Sequence, residues 1–116
     1  MQIPDFKTES QLQSYCYLWA HNNLPEIRKL LCYNLNNSKN KIDGARNKSM
    51  GLQKGRSDMV LYWKGTAHMI EMKLPGEGQT KDQKKWESKI TSHGFAYHIC
   101  DSFEQFQQIV NEVMRA

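Results

Sequence analysis

The apolar positions of this chain fall into stretches of helical and of strand-like spacing, separated by polar, turn-rich segments. Leu12, Tyr15, Cys16 and Trp19 recur at i, i+3, i+4 and i+7 behind Thr8-Glu9-Ser10-Gln11, which has the form of a capping box, so an amphipathic helix is predicted there. Glu9 projects near the inward face of that helix, where a carboxylate is costly unless something satisfies it; on its own it also suits the positive end of the helix. After Asn22-Asn23-Leu24-Pro25, the apolar run Leu30 to Leu35 reads as a short strand. Residues Asn36 to Gly55 are polar and turn-rich, and predict a loop with one short helix around Ala45 to Met50.

Two further strand-like segments, Asp58 to Trp63 and Ala67 to Lys73, are separated by Lys64-Gly65-Thr66, which is the spacing of an antiparallel hairpin. The stretch Leu74-Pro75-Gly76-Glu77-Gly78-Gln79 cannot continue a central strand, because proline removes a donor and glycine favours irregular backbone. It is expected to be a flexible flap at most. Thr80-Lys81-Asp82-Gln83 is again a capping box, opening a helix that should run to about His93 and stop at Gly94. Phe95 to Cys100 reads as a strand, and Asp101-Ser102-Phe103-Glu104 opens a last helix with Phe106, Ile109, Val110 and Val113 turned inward. The predicted order is α-β-(α)-β-β-α-β-α, an α/β fold without internal repeat or low-complexity segment.

Composition places limits on that picture. A chain of 116 residues with 39% hydrophobic and 24% charged side chains suits one globular domain, spanning 1–116. No stretch approaches the roughly 20 apolar residues that cross a bilayer, and Met1-Gln2-Ile3-Pro4-Asp5 lacks the features of a secretory signal, which points to a cytoplasmic protein with no membrane partner. Cys16, Cys32 and Cys100 are far apart and make no C-x-x-C pair, so buried reduced thiols are expected instead of a disulfide framework or zinc finger. The net charge of +4 is unevenly spread: Lys39, Lys41, Arg46, Lys48, Lys54 and Arg56 stand against one acid, Asp43. Such a stretch is either a solvated surface or a phosphate-contacting segment.

The hairpin puts charges where a half-buried strand does not ordinarily want them. With Lys64-Gly65 as a two-residue turn, Asp58 falls opposite Glu71; shifted by one, it falls opposite Lys73. In either register the side chains lie roughly 5 to 8 Å apart, and Glu71 and Lys73 share one face of their strand. Two converging carboxylates repel unless a cation sits between them, and hard oxygen ligands suit Mg²⁺ or Mn²⁺ better than zinc. Such an ion, with a nearby lysine, is the equipment of phosphodiester hydrolysis. A cross-strand salt-bridge ladder is the other reading. His21, His68, His93 and His98 show no shared metal-ligand spacing, Gly76-Glu77-Gly78 is no phosphate loop, and Trp63 and Trp86 suit core or interface positions, with base stacking as the alternative.

Gly51-x-x-x-Gly55-Arg56-Ser57-Asp58, then Glu71-Met72-Lys73, then Gln83 opening a helix, resembles the VRR-NUC branch of the PD-(D/E)xK nuclease superfamily. The resemblance covers nearly the whole chain. It implies a restriction-endonuclease-like core, a mixed central sheet flanked by helices. It further implies that Asp58, Glu71 and the Met72 carbonyl bind the metal, that Glu9 completes the acidic site, that Lys73 is the catalytic lysine, and that Gln83 sits near the site. Arg56 would contact phosphate, with Lys54, Arg46, Lys48 and Lys41 as further nucleic-acid contacts. Ser57 stands where the motif more often has proline, a change of local stiffness and not of ligand chemistry. The function implied is that of a Mg²⁺- or Mn²⁺-dependent DNA endonuclease, with branched DNA such as four-way (Holliday) junctions as substrate and a homodimer as the acting form; its short form would suit a phage enzyme. The alternatives are a catalytically silent nucleic-acid-binding module with the same fold, also using Lys81, Lys84, Lys85 and Lys89, and a protein-interaction domain that binds no metal.

Overall fold

A computed structural model describes residues 2–34 and 41–116, without the side chains of Lys41 and Asp43. Leu35, the Asn36-Asn37-Ser38 turn and Lys39 lie outside the described residues. In chain order the elements are α1 (Glu9–Asn23), a 3-10 turn at Pro25–Ile27, β1 (Leu31–Tyr33), α2 (Lys41–Ser49), β2 (Met59–Trp63), β3 (Thr66–Met72), α3 (Lys81–Ser92), β4 (Ala96–Cys100) and α4 (Phe103–Arg115). The expected order holds, with two boundary corrections. β1 covers Leu31–Tyr33 within the expected Leu30 to Leu35, and the Asn34 N–H donates to the Asp58 carbonyl (2.8 Å) in register with the β1/β2 ladder. The helix in the polar stretch begins four residues earlier than Ala45 and stops before Gly51, whose φ of +99° no helix accommodates.

Local chemistry accounts for the helix starts. At α3 the Thr80 hydroxyl accepts from the Gln83 N–H (3.2 Å) while the Gln83 side chain accepts from the Thr80 N–H (2.8 Å), a complete capping box. At α1 only half of the expected box forms: Thr8 accepts from the Gln11 N–H (3.1 Å), but the Gln11 side chain reaches past it to the Lys7 N–H (2.7 Å).

Among the described residues the strands form one sheet in the order β1-β2-β3-β4. β1/β2 and β2/β3 are antiparallel, and β3/β4 is parallel. The parallel pair needs a crossover, which α3 supplies. Lys64 and Gly65 both have positive φ (46° and 82°), the two-residue turn whose twist matches that of antiparallel strands. Trp63 therefore pairs with Thr66 and Met59 with Ile70, and one further step sets Asp58 opposite Glu71, the first of the two registers considered.

Strand alternation divides the sheet's side chains between two layers. Leu31, Met59, Leu61, Ile70, Met72 and Cys100 face α1 and α4, which bury Leu12, Cys16, Ala20, Phe106 and Val110 against them. The Phe103 ring meets Tyr15 and Trp19 edge-on at 5.0 and 5.4 Å. Val60, Ala67 and Met69 face the other way, toward Trp86 and Ile90 of α3 and Tyr97 of β4. α3 buries no residue fully, so this second layer is thin. By the same alternation Asp58, Glu71 and Lys73 lie on the α3 side. Cys16 and Cys100 are buried thiols, as expected, and Cys32 is only partly so.

Candidate active site

Glu71 is the centre of the charged group. Its residue is wholly buried. One oxygen, Oε1, accepts from the Tyr97 hydroxyl (2.5 Å) and from Gln79 Nε2 (3.0 Å). The other, Oε2, is buried without a partner. A carboxylate oxygen so placed costs several kcal/mol unless a positive charge or a donor meets it. Tyr97 can reach it because β4 runs parallel to β3 with Tyr97 beside Met69, one pleat from Glu71 on the same face. Burial, then its bond to Glu71, holds the Tyr97 phenol well above the usual range, so it remains a donor.

Lys73 follows β3 and is only 6% exposed. Its Nζ donates to Gln83 Oε1 (2.9 Å), the same atom that accepts the Thr80 N–H, so the α3 capping box also orients the lysine. The position of that helix end depends on Gly55. With φ +76°, Gly55 lies so close to α3 that an added Cβ would stand 2.2 Å from the Asp82 carbonyl group and 2.6 Å from the Gln83 nitrogen. Only glycine permits that approach.

Asp58 is half-buried. Burial raises its carboxyl above the ordinary value, the bond from the Met72 N–H opposes this, and the neighbouring Glu71 adds to the rise while Lys73 opposes it. The Met72 N–H donates to Asp58 Oδ2 at 2.6 Å. The chain around Asp58 is pinned from both sides: Asn34 Nδ2 donates to the Ser57 carbonyl (3.2 Å), and the buried Ser57 hydroxyl donates to the Met59 carbonyl (3.0 Å). Serine in place of proline thus contributes a side-chain bond that proline could not.

Glu9 approaches the same charges from α1 but in different company. Its carboxyl is pushed up to about 7 by burial, a hydrogen bond with Glu77 and the charges of Glu77 and Asp58, against the pull of Lys73. Glu77, held by the Leu74 N–H (2.6 Å) and by Glu9, is lowered, so the shared proton resides on Glu9. Among the described residues no three His, Cys, Asp or Glu side chains gather as a metal-holding cluster. Glu9 is hydrogen-bonded to Glu77 and close enough to Asp58 and Lys73 to feel both charges. The loop before α3 delivers Glu77 and also Gln79, which bridges Glu71 and Glu87 Oε1 (2.9 Å).

The other expected contacts are dispersed. Arg56 is half-buried beside Gly55, Lys48 and Lys54 line a cleft between α2 and α3, and Arg46 is exposed on α2. The side chain of Lys41 is outside the described residues. His68 and His98 stack at 6.0 Å on the face opposite Glu71, where burial lowers both. Tyr97, Gln79, Glu77 and Asn34 are the site residues that sequence reasoning missed.

The donor set fits a hard divalent cation: two carboxylates, one with an open buried oxygen, are what Mg²⁺ takes when substrate and water complete its shell. The model of the VRR-NUC domain family matches residues 3–104, which include every residue of this group. A solved structure described as a VRR_NUC domain protein has the same fold, with a TM-score of 0.80 over 97% of this chain and 92% of that one at 15% identity. A search of curated proteins finds no match. Domains of this kind are nuclease-type, act on nucleic acid and generally use divalent metals. On the match over 3–104, the chain belongs to the VRR-NUC family.

Proposed function

We propose that this chain is a Mg²⁺- or Mn²⁺-dependent endonuclease that hydrolyses phosphodiester bonds in DNA. The observation that carries the reading is the buried Glu71 carboxylate with Oε2 unpaired, beside Asp58 and Lys73. Asp58 and Glu71 would hold the cation, which when bound would polarise a phosphoryl oxygen and acidify water. Tyr97 and Gln79 hold Glu71 by Oε1, which leaves Oε2 for the cation. Lys73, steered by Gln83, offsets the charge that develops on the attacked phosphate or positions the attacking water. Glu9 and Glu77 share a proton at the edge of this group and would supply it to a leaving oxygen.

Branched DNA such as a four-way junction is the preferred substrate in this reading, cut by a homodimer, because paired incisions need two sites related by symmetry. The test is cleavage of labelled four-way junction, flap, single-strand and duplex oligonucleotides with either metal, comparing wild type with Asp58→Ala and Lys73→Ala. Cutting by wild type that both substitutions abolish is expected. Binding of DNA without cutting in either metal would make the chain a catalytically silent nucleic-acid-binding module.

A further inference from the structure

α3 has a second working side. Gln83 and Glu87, a turn apart, reach Lys73 and Gln79. Asp82, Lys85, Trp86 and Lys89, on the adjoining stripe, line a cleft of about 860 Å³ whose far wall is α2 and the segment after it. Lys48 and Lys54 complete the charge there, so among the described side chains that line the cleft four lysines face one acid, Asp82. Trp86 supplies an aromatic surface, steadied by an edge contact with Tyr97 at 5.9 Å.

We propose that this cleft binds an unpaired strand of nucleic acid, phosphates on Lys48, Lys54, Lys85 and Lys89 and a base against Trp86. Lysines around an aromatic surface are the two elements of single-strand grooves, and every unpaired base has a π-face to offer. The cleft lies within the range of about 300–1,000 Å³ typical of small-ligand pockets, room for a few nucleotide-sized groups. A duplex keeps its base faces stacked inside, so it can bring phosphates to the lysines but nothing to Trp86. The Gly55 contact with Asp82 and Gln83 joins the Lys54 end of the cleft to the end of α3 that orients Lys73. The inference rests on the nuclease reading and narrows its branched substrates to those with an unpaired strand beside the cleavage point, which a fully paired four-way junction lacks.

Binding is measured on the full chain in EDTA, where no cutting occurs, with a labelled single-stranded oligonucleotide, a blunt duplex of equal length, and poly-glutamate of equal charge. The single strand is expected to bind best and to quench tryptophan fluorescence, and Trp86→Phe, which keeps the ring contact to Tyr97, should abolish that quench. Reversing two exposed charges with Lys85→Glu and Lys89→Glu should weaken single-strand binding about tenfold or more and flatten the salt dependence by about 0.7 in slope per lost phosphate contact. A quench that survives in Trp86→Phe, unchanged affinity in the charge-reversed chain, or equal binding of the duplex would overturn the proposal. Equal binding of poly-glutamate would do so too, in favour of an acidic protein partner. Because no metal is present, a chain that cuts nothing can still bind the strand, and the two readings fail separately.

Discussion

Gly55→Ala and Gly51→Ala should separate two effects that usually come together. Both glycines have positive φ, +76° and +99°, so alanine at either meets the left-handed strain of about 1–2 kcal/mol. At Gly51 the new methyl has nothing within 4 Å, whereas at Gly55 it would stand 2.2 Å from the backbone of Asp82. Backbone cannot swing aside as a side chain can, so the end of α3 must shift, at the cost of overpacking, about 1–3 kcal/mol more. Unfolding entropy of about 2.1 cal/mol/K per residue makes each kcal/mol worth roughly 4 °C in a chain of 116 residues. Gly51→Ala should thus lower Tm by about 4–8 °C and Gly55→Ala by about 8–20 °C. Thermal and urea unfolding read the difference, and cleavage should fall further in Gly55→Ala because Gln83 moves with the helix end. Equal melting temperatures for the two variants would refute the close approach of this loop to α3.

Tyr97→Phe leaves Glu71 Oε1 with Gln79 as its one donor. Hydrogen bonds to charged groups contribute about 1.5–3 kcal/mol, so titration calorimetry should find Mn²⁺ binding weakened roughly tenfold or more; unchanged affinity would mean that Tyr97 does not orient Glu71. Glu9 has its carboxyl at about 7 against an ordinary 4.5, so across that interval the folded chain holds a proton that the unfolded chain has released. Its contribution to stability is then complete below about 4.5 and is lost as pH rises through about 7. Glu9→Gln, permanently neutral, should melt above wild type at about pH 8 and with it at about pH 4.5. A gain of the same size at both would exclude this titration as its source.

The legible part of the site was the part fixed by local rules. Lys64-Gly65 admits a tight turn, a tight turn sets the hairpin register, and the register sets Asp58 opposite Glu71. The Thr80–Gln83 box was equally local, although its second use, holding Lys73, depends on where Gly55 lets α3 sit. Tyr97 was not legible, because the offset of two parallel strands is set by crossover packing across many residues and by no turn. Glu77 and Gln79 were passed over for a similar reason: Pro75 and the flanking glycines rule out a strand but do not say where a loop carries its side chains. Glu9 is a half-buried carboxylate at the start of α1, and its hydrogen-bond partner is Glu77 of the loop, with the charges of Lys73 and Asp58 beyond it. Among the described side chains of the basic stretch, Lys48 and Lys54 line the cleft beside α3 while Arg46 and Arg56 do not, a division that charge counting along a sequence cannot reveal.

The most direct measurement compares wild type with Glu71→Gln in single-turnover cleavage of labelled DNA with Mn²⁺, alongside their melting curves without metal. Glutamine keeps the shape and an oxygen for Tyr97 but removes the buried charge, so cleavage should fall by about 10² or more while the metal-free melting temperature stays level or rises. Cleavage by Glu71→Gln at the wild-type rate would contradict a role for the buried carboxylate in catalysis.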